Sequence, residues 1–333
     1  MSMAGRQTAA SPLEQFRALY RDRFAASMQS CEELLGEAAA RPAGILSQSC
    51  SFTLAAGGKR LRPLLVFLSA RRESPPPGAA QLAAAAAVEL VHMATLVHDD
   101  VIDGAELRRG QPTLVSRHGR RLSTGAGDYL FSTAFDLLAG TGEPAAVSLL
   151  SRASLALSLG ELMQMRETAN YGLAPAAYFE RCRHKTSGLF AAACQLGAML
   201  SGCSPAAIAA MGSYADNLGL SFQLADDILD FEGDPARTGK RIGADLRDGT
   251  VTLPLILAME RDPEICGLLA GGVEERIMNQ ACERIIRCGA LEDAREQAAV
   301  FAARARAALQ GAAAEIDAEP LALIAAATVD RKA

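Results

Sequence analysis

LVHDDVIDGAELRRG, residues 96–110, and LADDILDFEGD, residues 224–234, each contain Asp-Asp-x-x-Asp, and the two copies start 127 residues apart. In a helix, residues four apart stack on one face about 5–6 Å from each other, so Asp99 lies over Asp103 and Asp226 over Asp230, with Asp100 and Asp227 flanking them. Like charges so placed destabilise the helix that carries them. Their neighbours Leu96, Val97, Val101, Ile102, Leu224, Ile228 and Leu229 read as core-facing, which brings six carboxylates close to an apolar interior. Ionised carboxylates are costly there unless cations offset them, and donors that are all oxygen select a hard cation. Magnesium fits, because it takes one or two carboxylates and completes its shell with waters and phosphate oxygens. A single Asp-Asp pair is usually a solvated helix edge; the repeated spacing in apolar surroundings argues against that here. An EF-hand is excluded, since neither copy has the Asp-x-Asp-x-Asp-Gly spacing on a loop.

Hydrophobic residues make up 50% of the 333, aromatics only 5%, and there is no Trp, so the core is aliphatic and the long Ala/Leu runs favour helix. Strand signals are nearly absent. The expected fold is all-α, a single large helical bundle with a central apolar pocket over residues 12–333, after a disordered start at 1–11. Helices are expected at about 12–20, 27–40, from 79 through the first triplet, and at 127–138, 145–165, 175–203 and 205–231, the last carrying the second triplet. Both triplets then end helices, and a polar mouth opens above an apolar interior.

A net charge of −5 without a basic stripe excludes nucleic acid as a partner. The eight cysteines have no metal-ligand spacing and read as free buried thiols of a reducing, cytoplasmic setting. The opening MSMAGRQTAASPLEQF lacks the apolar stretch of a signal peptide, and the most apolar window, 81–97, is short for a membrane span and carries Glu89 and His92. At most peripheral membrane contact is expected.

Positive charge is local. Lys59, Arg60 and Arg62 follow a Gly-Gly break, where backbone and three cations can converge on an anion. Arg108 and Arg109 follow the first triplet, and Lys240 and Arg241 lie just past the second, an arrangement that suits a phosphate bridged by metal. His92 falls on nearly the same helical face as Asp99, whereas His98 points off it and is given no role. Phe131 and Phe135, at i and i+4, read first as core packing.

With these residues in hand, the chain resembles the trans-isoprenyl diphosphate synthases, or polyprenyl synthetases. The likeness spans roughly residues 50–260 and runs through GGKRLRP (57–63), VHMATLVHDDVIDGAELRRGQP (91–112), GDYLF (127–131), HKTSGLF (184–190), SFQLADDILDFEGD (221–234) and TGKRIGADLRDGTVTLPL (238–255). The resemblance implies an isoprenoid synthase-like fold, a homodimer, and condensation of isopentenyl diphosphate with an allylic diphosphate to a longer all-trans product. It implies three magnesium ions, with Asp99, Asp103 and Asp226 leading and Asp100, Asp227 and Asp230 supporting through ligation or water. It puts Arg108, Lys185, Gln223 and Lys240 on the allylic diphosphate, Thr186 facing the developing allylic cation, and Lys59, Arg62, His92 and Arg109 on isopentenyl diphosphate. One departure stands out: the family often has Lys where this chain has Thr250, so weaker allylic binding is expected.

Ala94 and Thr95, five and four residues before Asp99, lie about one helical turn deeper, on the path of the growing tail. Relatives making short products typically carry a bulky residue at one of these positions, so a product longer than geranylgeranyl is expected, with Phe131 and Phe135 as candidate floor residues. Competing readings are a short-chain synthase, a catalytic or regulatory subunit of a hetero-oligomeric synthase, and a terpene cyclase. The second aspartate triplet argues against the cyclase, whose second metal motif uses Asn, Ser and Glu, and intact triplets argue against a regulatory subunit. A di-iron bundle needs a pair of Glu-x-x-His motifs, and the sequence holds a single one, Glu89-Leu90-Val91-His92.

Overall fold

The computed structural model describes residues 11–72, 77–108, 110–233, 242–270 and 274–329. The disordered start expected over 1–11 falls outside them except for Ser11. Ser11 caps helix α1 (Pro12–Ala40): its hydroxyl accepts from the Glu14 N–H while the Glu14 carboxylate accepts from the Ser11 N–H. This reciprocal cap, with Pro at the first helical position, fixes where the helix begins. The helix continues unbroken for 29 residues, so the separate helix expected from position 27 is its second half. Residues 21–26, RDRFAA, hold no Gly or Pro to interrupt it.

Helices α2 (Gly44–Ala55), α3 (Leu61–Leu68) and α4 (Ala79–Asp103) follow, then a two-residue antiparallel pair, β1 (Leu107–Arg108) and β2 (Gln111–Pro112). Next come α5 (Leu114–Ala139), broken locally at Gly119, α6 (Pro144–Glu167) and α7 (Pro175–Cys182). The segment expected as one helix over 175–203 contains a π-helical turn, Arg183–Ser187, between α7 and α8 (Gly188–Leu200). The chain then forms α9 (Pro205–Glu232), a one-turn α10 (Ala244–Arg247), α11 (Leu253–Arg261), α12 (Glu264–Ala270), α13 (Glu275–Arg287), α14 (Ala290–Ala308) and α15 (Ala318–Val329).

Helix α4 is the axis of the molecule. Ala84, Ala85, Ala86, Ala87, Val88 and Leu90 are all fully buried, and a helix that is apolar on every side must be enclosed on every side. α5 packs along it, with α1, α3 and α8 around the rest, and the small Ala faces let these backbones approach closely. Helix α9 joins two apolar clusters: Met211, Tyr214 and Leu218 belong to the one around α4, while Leu220, Leu224 and Phe231 belong to a second built with α7 and residues 246–301. Among the described residues two helices, α4 and α6, are long and apolar enough to cross a membrane; the apolar stretch of α4 is 67% buried in the protein, that of α6 only 33%.

Two expectations need correction. Ile102 is 45% exposed rather than core-facing, because it lies in the last turn of α4, beyond the helices that enclose the centre. Cys266 is exposed, on the short helix α12; the other cysteines are free and buried or half-buried.

Candidate active site

Asp103 is the last residue of α4, and Gly104 stops the helix there in the left-handed conformation (φ 61°), with its N–H returned to the Asp100 carbonyl. Glycine adopts this geometry without the Cβ penalty, which explains the Asp-Gly junction. The chain then folds back through β1 and carries Arg108 over the helix end, where its Nε donates to Asp100 Oδ1 at 2.8 Å. Asp100 is buried. Burial pushes the Asp99 carboxyl up to about 6; Lys185 and Arg108 act to lower it, Glu161 and Asp103 to raise it. An oxygen so poorly solvated gains from a cation.

The second triplet is tied into the protein differently at each position. Asp227 is 2% exposed, and both its oxygens are engaged: Tyr178 OH donates to Oδ2 at 2.6 Å and Gln223 Nε2 to Oδ1 at 2.8 Å. Burial, reinforced by Asp245 and Asp226 and opposed by those two hydrogen bonds, pushes its carboxyl up to about 8. Asp230 accepts from the backbone N–H groups of Ala244 and Asp245, both at 3.1 Å, and so caps the first turn of α10. Among the described residues no three Asp, Glu, His or Cys side chains converge closely enough to hold an ion by themselves. The donor set still fits magnesium, which completes its shell with water and phosphate rather than a dedicated protein cage. His98 is turned away, toward the Thr124 carbonyl and Asp128.

Lys185 and Thr186 sit on the π-helical turn, a feature frequent at functional sites. Lys185 Nζ pairs with Glu161 at 2.6 Å and with Gln164 Oε1 at 3.0 Å, and Thr186 donates to Gln223 Oε1 at 2.7 Å. Glu161, Gln164 and Tyr178 escape the sequence reading; the one signal for the first two was a pair of polar residues three apart on the apolar α6. The turn is gripped from two sides. A Cβ at Gly160 of α6 would lie 2.7 Å from the Lys185 backbone nitrogen, and one at Gly219 of α9 would lie 2.6 Å from Ser187 Cα. Gly160→Ala must therefore displace the turn, and because small misplacements of a positioning group cost up to about 100-fold, kcat/KM for the allylic substrate is expected to fall roughly 10- to 100-fold. Steady-state kinetics with that substrate varied checks this; an unchanged kcat/KM sinks it.

The basic loop does not converge as a trio. Arg60, itself left-handed (φ 47°), turns inward to Glu32 at 2.6 Å and Glu89 at 3.0 Å, the latter 3% exposed, so it ties α1 and α4 together instead of offering charge to a ligand. Arg62 remains. Its guanidinium stacks 4.8 Å over the Phe190 ring, and its buried Nε has no hydrogen-bond partner. Burial pulls it down to about 10, with Glu89 and Asp226 acting to hold it up. A charged donor left unpaired inside a protein calls for an anion. Lys59 is exposed beside it, and half-buried His92 accepts at its carbonyl from the Thr95 hydroxyl at 2.8 Å. Arg109, Lys240 and Arg241 lie outside the described residues. Ala94 is fully buried and Thr95 partly so, while Phe131 and Phe135 are half-buried with rings 5.4 Å apart against the main core.

The structure thus brings Asp99, Lys185, Arg108 and Glu161 within electrostatic reach of one another, and Arg62 within reach of Asp226. Comparison with known proteins agrees in kind. The polyprenyl synthetase family model matches residues 43–283. Heptaprenyl diphosphate synthase component 2 of Geobacillus stearothermophilus is 37% identical over 254 residues, 76% of this chain and 79% of that protein. Octaprenyl diphosphate synthase of Escherichia coli K12 is 34% identical over 271 residues, 80% of this chain and 84% of that one. The crystal structure of a polyprenyl synthase from Caulobacter crescentus CB15, complexed with calcium and isoprenyl diphosphate, superposes with a TM-score of 0.85 at 35% identity, covering 98% of this chain and all of that one.

Proposed function

Because the chain belongs to the polyprenyl synthetase family, we propose that it builds a medium- to long-chain product and that the residues gathered around the two triplets carry the reaction. It is a trans-polyprenyl diphosphate synthase, a prenyltransferase that joins isopentenyl diphosphate to an allylic diphosphate. The allylic carbon–oxygen bond ionises, the isopentenyl double bond attacks the cation, and a proton is lost to the released diphosphate. Magnesium is the metal of the family; Asp99, Asp103 and Asp226 would hold it, three ions being the expected number, and it supplies Lewis-acid stabilisation of charge on the departing diphosphate. Lys185, Arg108 and Gln223 orient that diphosphate, with Lys240 added from the matching motif. Arg62 and Lys59, with His92 and Arg109, hold isopentenyl diphosphate. Asp100, Asp227 and Asp230 support from behind, through Arg108, Gln223 and α10. Aliphatic walls exclude the water that would quench the cation as an alcohol.

The longer product rests on one observation: the residue one helical turn below Asp99 is Ala94, small where relatives making short products carry a bulky side chain. Incubation with isopentenyl and farnesyl diphosphates, with magnesium or with chelator, is expected to give magnesium-dependent linear products beyond geranylgeranyl length by mass spectrometry, and Ala94→Phe to shorten them by at least one isoprene unit. Products stopping at geranylgeranyl in the wild type overturn the reading. The relative named component 2 favours one second reading, a catalytic subunit of a hetero-oligomer; no product with any primer would select it.

A second copy of the chain fits the exposed face of α6, where Leu155 (63% exposed), Leu159, Leu162 and Met165 follow one another at helical spacing. Leu155→Glu with Leu162→Glu is expected to convert a dimer to a monomer by sedimentation. A wild type that sediments as a monomer, or a variant that stays dimeric, refutes this interface.

A further inference from the structure

We propose that Tyr178 is a positioning residue for the allylic substrate's reaction, acting through Asp227 and Gln223 to fix the direction of the Thr186 hydroxyl. This rests on the prenyl-transfer reading above and adds to it a residue that never meets the substrate.

Four side chains from α7, α9 and the π-helical turn form one unbroken series. Tyr178 OH donates to Asp227 Oδ2 at 2.6 Å, Gln223 Nε2 donates to Asp227 Oδ1 at 2.8 Å, and Thr186 Oγ1 donates to Gln223 Oε1 at 2.7 Å. Tyr178 is 1% exposed, so water is poorly placed to replace its phenol at the carboxyl. A hydroxyl has one proton and two acceptor lone pairs, and an amide has one donating and one accepting end. The order of donors therefore decides what Thr186 offers. With its proton engaged by Gln223, its oxygen meets any other neighbour as an acceptor, which is the electron-rich face that a developing cation requires. Had Gln223 been turned the other way, its N–H would occupy that oxygen.

Tyr178 sits at the far end of this order. Removing its proton leaves Asp227 Oδ2 a buried acceptor without a partner, the condition that makes a carboxyl rotate in search of a donor. Gln223, held by the other oxygen of the same carboxyl, turns with it. The Thr186 proton is then released, although Thr186 itself is untouched and Tyr178 stands eight residues away on another helix.

The experiment is a double-mutant cycle. Tyr178→Phe is expected to slow single-turnover elongation about 5- to 100-fold, the range for leaving a buried acceptor without its partner. Affinity for the non-ionising farnesyl thiodiphosphate, measured by calorimetry, is expected to fall much less than the rate does, since Gln223 turns but Lys185 and Arg108 keep their hold on the diphosphate. In a Thr186→Val background the loss from Tyr178→Phe is expected to vanish, and in Thr186→Ser, which keeps the hydroxyl, to return. A plain structural role for Tyr178 predicts the same loss in all three backgrounds, and that outcome, or a full rate in Tyr178→Phe, overturns the proposal. Should Tyr178→Phe not fold, Gln223→Met cuts the series one link later, and its effect on kcat must shrink in the Thr186→Val background to what its own contact with the diphosphate contributes; an effect of the same size in both backgrounds overturns the proposal. A wild-type enzyme that elongates nothing, even with a second subunit of a hetero-oligomeric synthase added, would instead refute the prenyl-transfer reading before any variant is compared.

Discussion

Asp226→Asn is expected to lower kcat/KM for elongation by roughly 1,000-fold or more, the scale of losing a preorganised electrostatic contact to charge that develops in the transition state. The physical case lies in how the second triplet is used. Asp227 and Asp230 are each committed on both oxygens, the first to Tyr178 and Gln223, the second to the opening turn of α10. Asp226, half-buried and within electrostatic reach of Arg62, is the member of this triplet that leads the metal contact in the proposed function. The substitution keeps shape and removes charge, so the melting temperature should barely move while the magnesium concentration for half-maximal rate rises steeply. Asp230→Asn should behave in the opposite manner, with proteolysis near residue 244 accelerated before catalysis is lost. Equal losses from the two variants, or a Asp226→Asn enzyme within tenfold of wild type, would show that the triplet acts as three equivalent ligands.

The triplets, the helical class and the family were legible because each depends on local spacing: four residues put carboxylates on one face, and uninterrupted Ala and Leu make helices. What those carboxylates bond to was not legible. Asp230 caps a helix fourteen residues on, and Asp227 reaches Tyr178 forty-nine residues back, contacts that only the packing of α7 and α10 against α9 creates. Arg60 shows the same limit from the basic side. Charge and a Gly-Gly break look alike whether an arginine serves a ligand or a buried glutamate, and its left-handed backbone sends it to Glu89. The π-helical turn was invisible for a further reason: Gly160 and Gly219 are unremarkable in sequence, and only the close approach of the turn to α6 and α9 shows why neither bears a side chain.

Glu167→Ala is expected to destabilise the fold by about 3–5 kcal/mol, the cost of breaking a buried ion pair from one side. Glu167 ends α6 and Arg181 lies in the last turn of α7; each is 4% exposed, their oxygen and nitrogen are 2.9 Å apart, and Arg181 also donates to the Val251 carbonyl. Truncating the glutamate strands a guanidinium that cannot lose its proton and has only one carbonyl left. The melting temperature should fall by roughly 5–15 °C, given the few degrees per kcal/mol typical of chains above 150 residues. Replacing both partners, Glu167→Leu with Arg181→Met, should recover most of that loss, because the stranded charge and not the missing attraction is the main cost. Activity separates this from damage to the metal site. Arg181 stands 5.6 Å over the Tyr178 ring, so at low temperature, where Glu167→Ala is folded, the rate should drop modestly while magnesium dependence is unchanged. A melting temperature within about 2 °C of wild type, less than 1 kcal/mol on that scale, would mean that water reaches Arg181 and that the pair does not hold α6 to α7.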